Sequence, residues 1–288
     1  MRSCKFLLFA VAVTLLASCN SKPTELSLNV MTFNIRMDTP RDSLNSWTYR
    51  KDFASELVRF HKTDILGTQE VLHHQLEDMK TRLPEYSSIG VGREDGATKG
   101  EYSAIFYKTD KFDVLKSGTF WLAEDINAVG KKGWDAACER VVTWAVFRDK
   151  ATAKEFCFMN THFDHIGKVA RSESAKLLMA KSKEFSEGLP VIATGDFNAT
   201  AESDVIKTIT DKGNPDHLTD SRGIAEFVYG PDNSFHNYGR IPYDRRSVID
   251  YIFVKGNIDV KRLGVLTEMK DSIHSSDHYP VLAEVVLK

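Results

Sequence analysis

The chain predicts a layered α/β sandwich, two sheets packed face to face with helices outside, and three observations carry that expectation. Its 288 residues are 42% hydrophobic and 27% charged, a globular composition that excludes disordered, collagenous and coiled-coil chains. Strand-like apolar runs recur along the whole length, with amphipathic helical patterns between some of them. No internal repeat, low-complexity tract or Pro/Gly-rich linker interrupts residues 26–288, so these read as one domain.

The N-terminus comes first and stands apart. Arg2 and Lys5 precede an apolar run over 6–16, shorter than the roughly 20 residues of a spanning helix. Residues 1–18 therefore read as a signal peptide. Leu16-Ala17-Ser18-Cys19 resembles a bacterial lipobox, in which Cys19 is acylated, and residues 19–25 read as a tether. This predicts a membrane-anchored lipoprotein of the cell envelope, on the periplasmic or outer face.

Strands are expected over 26–35, 64–71, 102–108, 141–148, 155–162, 190–197, 247–254 and 281–287. A helix is expected over 50–61, where Phe53, Leu57 and Phe60 share a face and Asp52 lies near the start. A second is expected over 170–185, with shorter ones over 76–83 and 204–210. Cys138 and Cys157 are too few for a disulfide scaffold. Cys157 sits in an apolar run, where a buried free thiol is as reasonable as a bridge.

Alternate residues of a strand face opposite sides. Leu26, Leu28 and Val30 share parity with Thr32 and Asn34, and Leu66 with Glu70. Phe156 and Phe158 share it with Asn160, His162 and Asp164. Ile192 shares it with Asp196 and Asn198, and Val248, Ile252 and Val254 with Asp250. A single polar residue at a strand end is a solvated edge. Five such switches in one chain point to one polar site at a rim of the sandwich, with an ion inside it, because isolated buried carboxylates are costly.

Glu70, Asp196, Asp277, Asn34 and Asn198 are hard oxygen donors, and no zinc spacing such as HExxH appears. That set suits Mg²⁺ or Mn²⁺, with Ca²⁺ also open. His278 and His162 have the pKa for proton transfer near neutrality, and Asp250 is placed to orient His278.

The segments Thr32-Phe33-Asn34-Ile35-Arg36, Gln69-Glu70-Val71, Asn160-Thr161-His162-Phe163-Asp164-His165, Gly195-Asp196-Phe197-Asn198, Ile249-Asp250-Tyr251-Ile252-Phe253 and Ser276-Asp277-His278-Tyr279-Pro280-Val281 resemble, in order and spacing, the endonuclease/exonuclease/phosphatase superfamily. The resemblance covers nearly all of residues 26–288. It implies a four-layered, deoxyribonuclease-I-like α/β sandwich of two mixed sheets flanked by helices. It also implies divalent-metal-dependent hydrolysis of a phosphate ester. By that resemblance Glu70 is the principal metal ligand, assisted by Asn34 and Asp277, and the cofactor is Mg²⁺ or Mn²⁺. His278 activates water and is oriented by Asp250. Asp196 and Asn198 position the nucleophile and phosphate, and His162 donates to a phosphate oxygen. The family leaves open whether the His or the Asp–Asn pair is the base. Arg36, Asp164 and His165 are candidates for substrate contact. Arg93, Glu101 and Tyr102, in a Gly-rich loop, are candidates for the rim.

The formal net charge is −2, so no global basic field marks a nucleic-acid binder. The first expectation is thus a phosphodiesterase or phosphatase acting, as a monomer, on a small or glycan-linked phosphate ester outside the cytoplasm. The alternatives are an extracytoplasmic nuclease acting on DNA or RNA, and a catalytically silent binding lipoprotein. The loop Arg240–Arg246 is the best candidate for contact with an anionic substrate.

Overall fold

The computed structural model describes residues 24–288. The signal peptide, the expected lipidation at Cys19 and most of the tether lie outside the described residues. In chain order the strands begin β1 (Leu26–Asn34), β2 (Ile65–Gln69), β3 (Tyr86–Ile89), β4 (Ile105–Lys108), β5 (Phe112–Trp121), β6 (Val141–Asp149), β7 (Glu155–His162) and β8 (Val191–Asp196). They continue with β9 (Thr219–Asp220), β10 (Phe227–Tyr229), β11 (Asp250–Lys255), β12 (Ile258–Val265), the short ribbon β13 (Met269–Lys270) and β14 (Ile273–His274), and β15 (Val281–Leu287). The helices are α1 (Trp47–Phe60), α2 (His73–Arg82), α3 (Lys168–Ser186), α4 (Asp204–Thr210) and α5 (Ser221–Ile224).

One sheet runs β10-β12-β15-β1-β2-β4-β3 and the other β5-β6-β7-β8-β11-β9. Both are mixed: β1–β2 and β7–β8 pair parallel, their other neighbours antiparallel. Parity explains the layers. Leu28, Val30, Phe156, Phe158, Ile192, Ile252 and Val254 meet in a core between the sheets. Their alternates Met31, Phe33 and Leu66 pack under Leu57, Val58, Leu76 and Met79 of α1 and α2. Cys157, Met159, Val191 and Phe253 pack under Leu178, Met179, Val205 and Ile209 of α3 and α4. Helix, sheet, sheet and helix thus make the four layers expected. Cys138 and Cys157 are both free thiols.

Toward one rim the apolar core gives way to a polar seam. Asn160 Nδ2 donates to the Thr68 and Ala104 carbonyls at 2.8 and 3.0 Å. Its Oδ1 accepts from Gln69 Nε2 at 2.7 Å and Thr194 Oγ1 at 3.0 Å, so it joins the two sheets. Gly67 lies against this seam: a Cβ there would stand 2.1 Å from Thr194 Oγ1 and 2.5 Å from Asn160 Oδ1. Only glycine permits that approach.

Candidate active site

The strand ladder assembles the site. His162 and Asp196 are register partners across β7 and β8, and Asp196 and Asp250 across β8 and β11. Because β11 runs antiparallel to β8, its first residue lies at the same rim as β8's last. β15 runs antiparallel to β1, which brings Asp277 and His278, just before it, back beside Asn34. The result is a cavity of about 380 Å³ lined by Arg36, Glu70, His162, His165, Asp196, Asn198, Asp277 and His278, among others.

Parity holds for Asn34, His162, Asp196 and Asp250, but not for Glu70. Leu66 faces the helices, so a continued strand would turn Glu70 away from the site. The strand instead ends at Gln69, and Glu70 adopts φ 59°, which swings its carboxylate inward. Arg36 and Asn198 likewise have φ 58° and 47°. Left-handed backbone at non-glycine residues is strained, and here it falls on groups that line the cavity.

His278 Nδ1 lies 2.8 Å from Asp250 Oδ2, and its Nε2 lies 3.7 Å from Asp196 Oδ2. Burial works against charge on this imidazole, yet the carboxylates of Asp250, Asp196 and Asp277 outweigh it and raise the pKa from 6.5 to about 10. Burial, helped by the charge of Asp250, raises Asp196 to about 7. Asp196, Asp250 and His278 each offer a ligand atom within 4.8 Å of the others, a grouping able to hold a metal ion. Burial pushes the Glu70 pKa up, but Arg36 and His278 outweigh it and hold it below the usual carboxylate value. Burial raises Asp277, with Glu70 adding to the effect. Arg36 lies 3.6 Å from Glu70 and 3.8 Å from Asp277, and is anchored by Asp42 at 3.0 Å.

Some expected residues take other parts. Asn34 does not turn its oxygen to Glu70. Its Oδ1 accepts from the Arg36 backbone at 3.0 Å, while Nδ2 donates to Glu70 at 3.1 Å and Asp196 at 3.0 Å. Through its amide nitrogen Asn34 thus bridges the Glu70 and Asp196 carboxylates. Asp164 does not line the cavity. Its Oδ2 accepts from Ala137 N, Cys138 N and Arg140 Nε, and its Oδ1 from Ile166 N and Gly167 N, so the carboxylate is spent on holding loops. Those bonds pull its pKa down against burial. Asn198 Nδ2 donates to the Phe163 carbonyl and to His162 Nε2, both at 3.0 Å. With Nε2 accepting from Asn198, the neutral ring of His162 carries its proton on Nδ1, which has no partner among the described residues. Burial, aided by Arg140 and Arg93, keeps this imidazole well below its usual pKa and thus neutral. His165 is exposed at the cavity mouth, with Nδ1 3.0 Å from Arg140 Nη2. The arginines of 240–246 do not reach the cavity.

Sequence reasoning missed Arg50, which it placed on a helix with no further role. The side chain is fully buried and donates to the carbonyls of Ile35, Arg36 at 2.7 Å and Ser275 at 3.2 Å. It ties the loop after β1 to the one before β15. Ser276 adds a bond from Oγ to the Asn34 carbonyl at 2.6 Å.

Comparison with known proteins agrees with this geometry. An endonuclease/exonuclease/phosphatase from Bacteroides vulgatus superposes with a TM-score of 0.88 at 48% identity, covering 91% of this chain and 100% of that one. The mannosyl-6-phosphatase of Bacteroides thetaiotaomicron gives 0.83 at 43% identity, covering 90% and 99%. Nocturnin of Drosophila melanogaster is 25% identical over 181 residues, 59% of this chain but only 27% of its own length. The Endonuclease/Exonuclease/phosphatase family matches over residues 31–278. With its sheets, rim and motifs in place, the chain belongs to that family of phosphoester hydrolases.

Proposed function

We infer that this enzyme is a divalent-cation-dependent phosphatase or phosphodiesterase acting on a small, glycan-linked phosphate ester. One observation carries the reading. Glu70, Asp196 and Asp277 line one cavity, and Asp250 backs it through His278. The cations nearest these four carboxylates are Arg36 and His278, while the cavity's Arg93 and Arg140 are paired with Glu101 and Asp164. That excess of buried negative charge calls for a metal ion, and the donors are the hard oxygens that Mg²⁺ and Mn²⁺ take. Glu70 and Asp277 would hold it. When bound, such an ion neutralises charge on phosphoryl oxygens.

The remaining work falls to the chain itself. With no cation bound, the surrounding carboxylates keep His278 protonated at neutral pH; a cation held by Glu70 and Asp277 would offset them. Nε2, held toward the gap beside Asp196 by the Asp250–Nδ1 contact, could then take the proton of a water attacking phosphorus as the P–O bond to the leaving alcohol breaks. Asp196 and Asn198 position that water and the phosphate, and Arg36 donates to a phosphoryl oxygen. The 43% identity to a mannosyl-6-phosphatase supports a sugar as the organic part. A bounded cavity fits a small ester better than a duplex, which needs a long basic track. The lipobox-like segment ending at Cys19 supports attachment to the envelope membrane.

The test is a substrate panel with purified protein: hexose phosphates, inositol phosphates, bis-(nitrophenyl) phosphate, sphingomyelin, single-stranded RNA and plasmid. Sugar phosphates are expected to turn over fastest. Chelation should abolish turnover and Mg²⁺ or Mn²⁺ restore it; full activity after exhaustive chelation refutes the metal. Rapid plasmid cleavage that weakens steeply with salt would replace this reading with the nuclease. Fatty-acid labelling lost on Cys19→Ala would establish the anchor.

A further inference from the structure

We propose that Arg93 and Glu101 form the subsite that reads the organic group of the substrate, and that this group is neutral and rich in hydroxyls. The inference rests on the phosphatase reading above and names the residues that would give it selectivity.

Position is the first argument. Both residues line the cavity that holds Glu70 and His278. Glu101 Oε2 is 4.0 Å from His162 Nδ1, and the other nitrogen of that ring is 3.5 Å from Asp196 Oδ2. One imidazole therefore separates Glu101 from the catalytic carboxylate, a span that a sugar ring bridges.

Rigidity is the second. Arg93 and Glu101 form a two-pronged pair at 2.8 and 2.9 Å, and their backbones bond across the hairpin at 3.1 Å. Trp121 Nε1 pins the Arg93 carbonyl at 2.8 Å. A wall fixed in this way is preorganised.

Charge is the third. Arg93 is neutralised by Glu101, and Arg140 beside it by Asp164 at 3.4 Å. No free charge remains here to attract a second anion. The Arg93–Glu101 pair nonetheless keeps polar edges on the cavity, with 12% of the Arg93 side chain and 13% of the Glu101 side chain exposed. Covering those edges with an apolar group would strip their water without replacing its hydrogen bonds. Hydroxyls both donate and accept, and so match a guanidinium edge beside a carboxylate.

Steady-state kinetics of the metal-loaded enzyme test this with two substrates, a hexose 6-phosphate and 4-nitrophenyl phosphate, which carries no hydroxyls. The readout is the ratio of their kcat/KM values. Glu101→Gln and Arg93→Lys should each lower that ratio about tenfold or more, the scale of a lost hydrogen bond to a charged group, mainly through KM for the sugar phosphate. The exposed Lys99→Ala in the same hairpin should leave the ratio alone. Equal losses on both substrates, or a wild-type enzyme without preference for the sugar ester, overturns the subsite. Failure of the wild type to hydrolyse either ester overturns the phosphatase reading, and the subsite falls with it.

Discussion

Asp250→Asn is the most informative single substitution, because it keeps the shape of the side chain and removes only its charge. Asp250 and His278 are 3% and 4% exposed and 2.8 Å apart, so solvent does little to screen them. Despite the opposing effect of burial, Asp250 leads the carboxylates that lift His278 from 6.5 to about 10. At about 1.4 kcal/mol per pKa unit, that lift puts a ceiling of about 5 kcal/mol on the stabilisation of the imidazolium, shared among three carboxylates. A pKa raised on folding stabilises fully below the unfolded value of 6.5 and is lost as pH rises through about 10. In the metal-free protein, wild type should exceed Asp250→Asn by about 2–3 kcal/mol near pH 6, and the gap should close across that window. Differential scanning calorimetry at a series of pH values reads this directly. In the metal-loaded enzyme, a misaimed imidazole should lower kcat about a hundredfold with little change in KM. A stability gap independent of pH, together with kcat within about threefold of wild type, would refute the argument.

Four further outcomes are expected. His278→Ala should lower kcat at least about a hundredfold, and near-wild-type turnover would remove it from the mechanism. Arg50→Met strips donors from the carbonyls of Ile35, Arg36 and Ser275, so denaturant titration should show a loss of about 3 kcal/mol or more. Gly67→Ala should cost about 1–3 kcal/mol by driving a methyl into Thr194 and Asn160, measured the same way. Mass spectrometry after alkylation at mildly alkaline pH should find Cys138 modified in the native protein and Cys157 untouched, since burial pushes the Cys157 thiol up to about 12.

Much of the site was legible because strand parity is a local rule. Asn34, His162, Asp196 and Asp250 each continue an apolar face, and each was found that way. Glu70 was found for the wrong reason: its parity points outward, and a left-handed turn corrects it. Turns of that kind leave no periodic trace. β5 and β12 were missed because each carries a bulge, between Val114 and Lys116 and between Val260 and Arg262, which breaks the alternation. Asp164 follows the His162 motif in sequence, yet its oxygens are claimed by backbone from a loop 26 residues earlier. Arg50 and the Arg140–His165 contact depend on partners brought together by folding, so no spacing announces them.

The ladder that places His162, Asp196 and Asp250 on three neighbouring strands has a consequence for how such proteins diversify. Their spacing is set by sheet geometry, about 4.8 Å from strand to strand, and owes nothing to the surrounding loops. Insertions around the mouth can therefore leave these three side chains where they are. Glu70, Asn198, Asp277 and His278 stand on turns beyond the strand ends, so it is through them that a change in the rim would reach the chemistry.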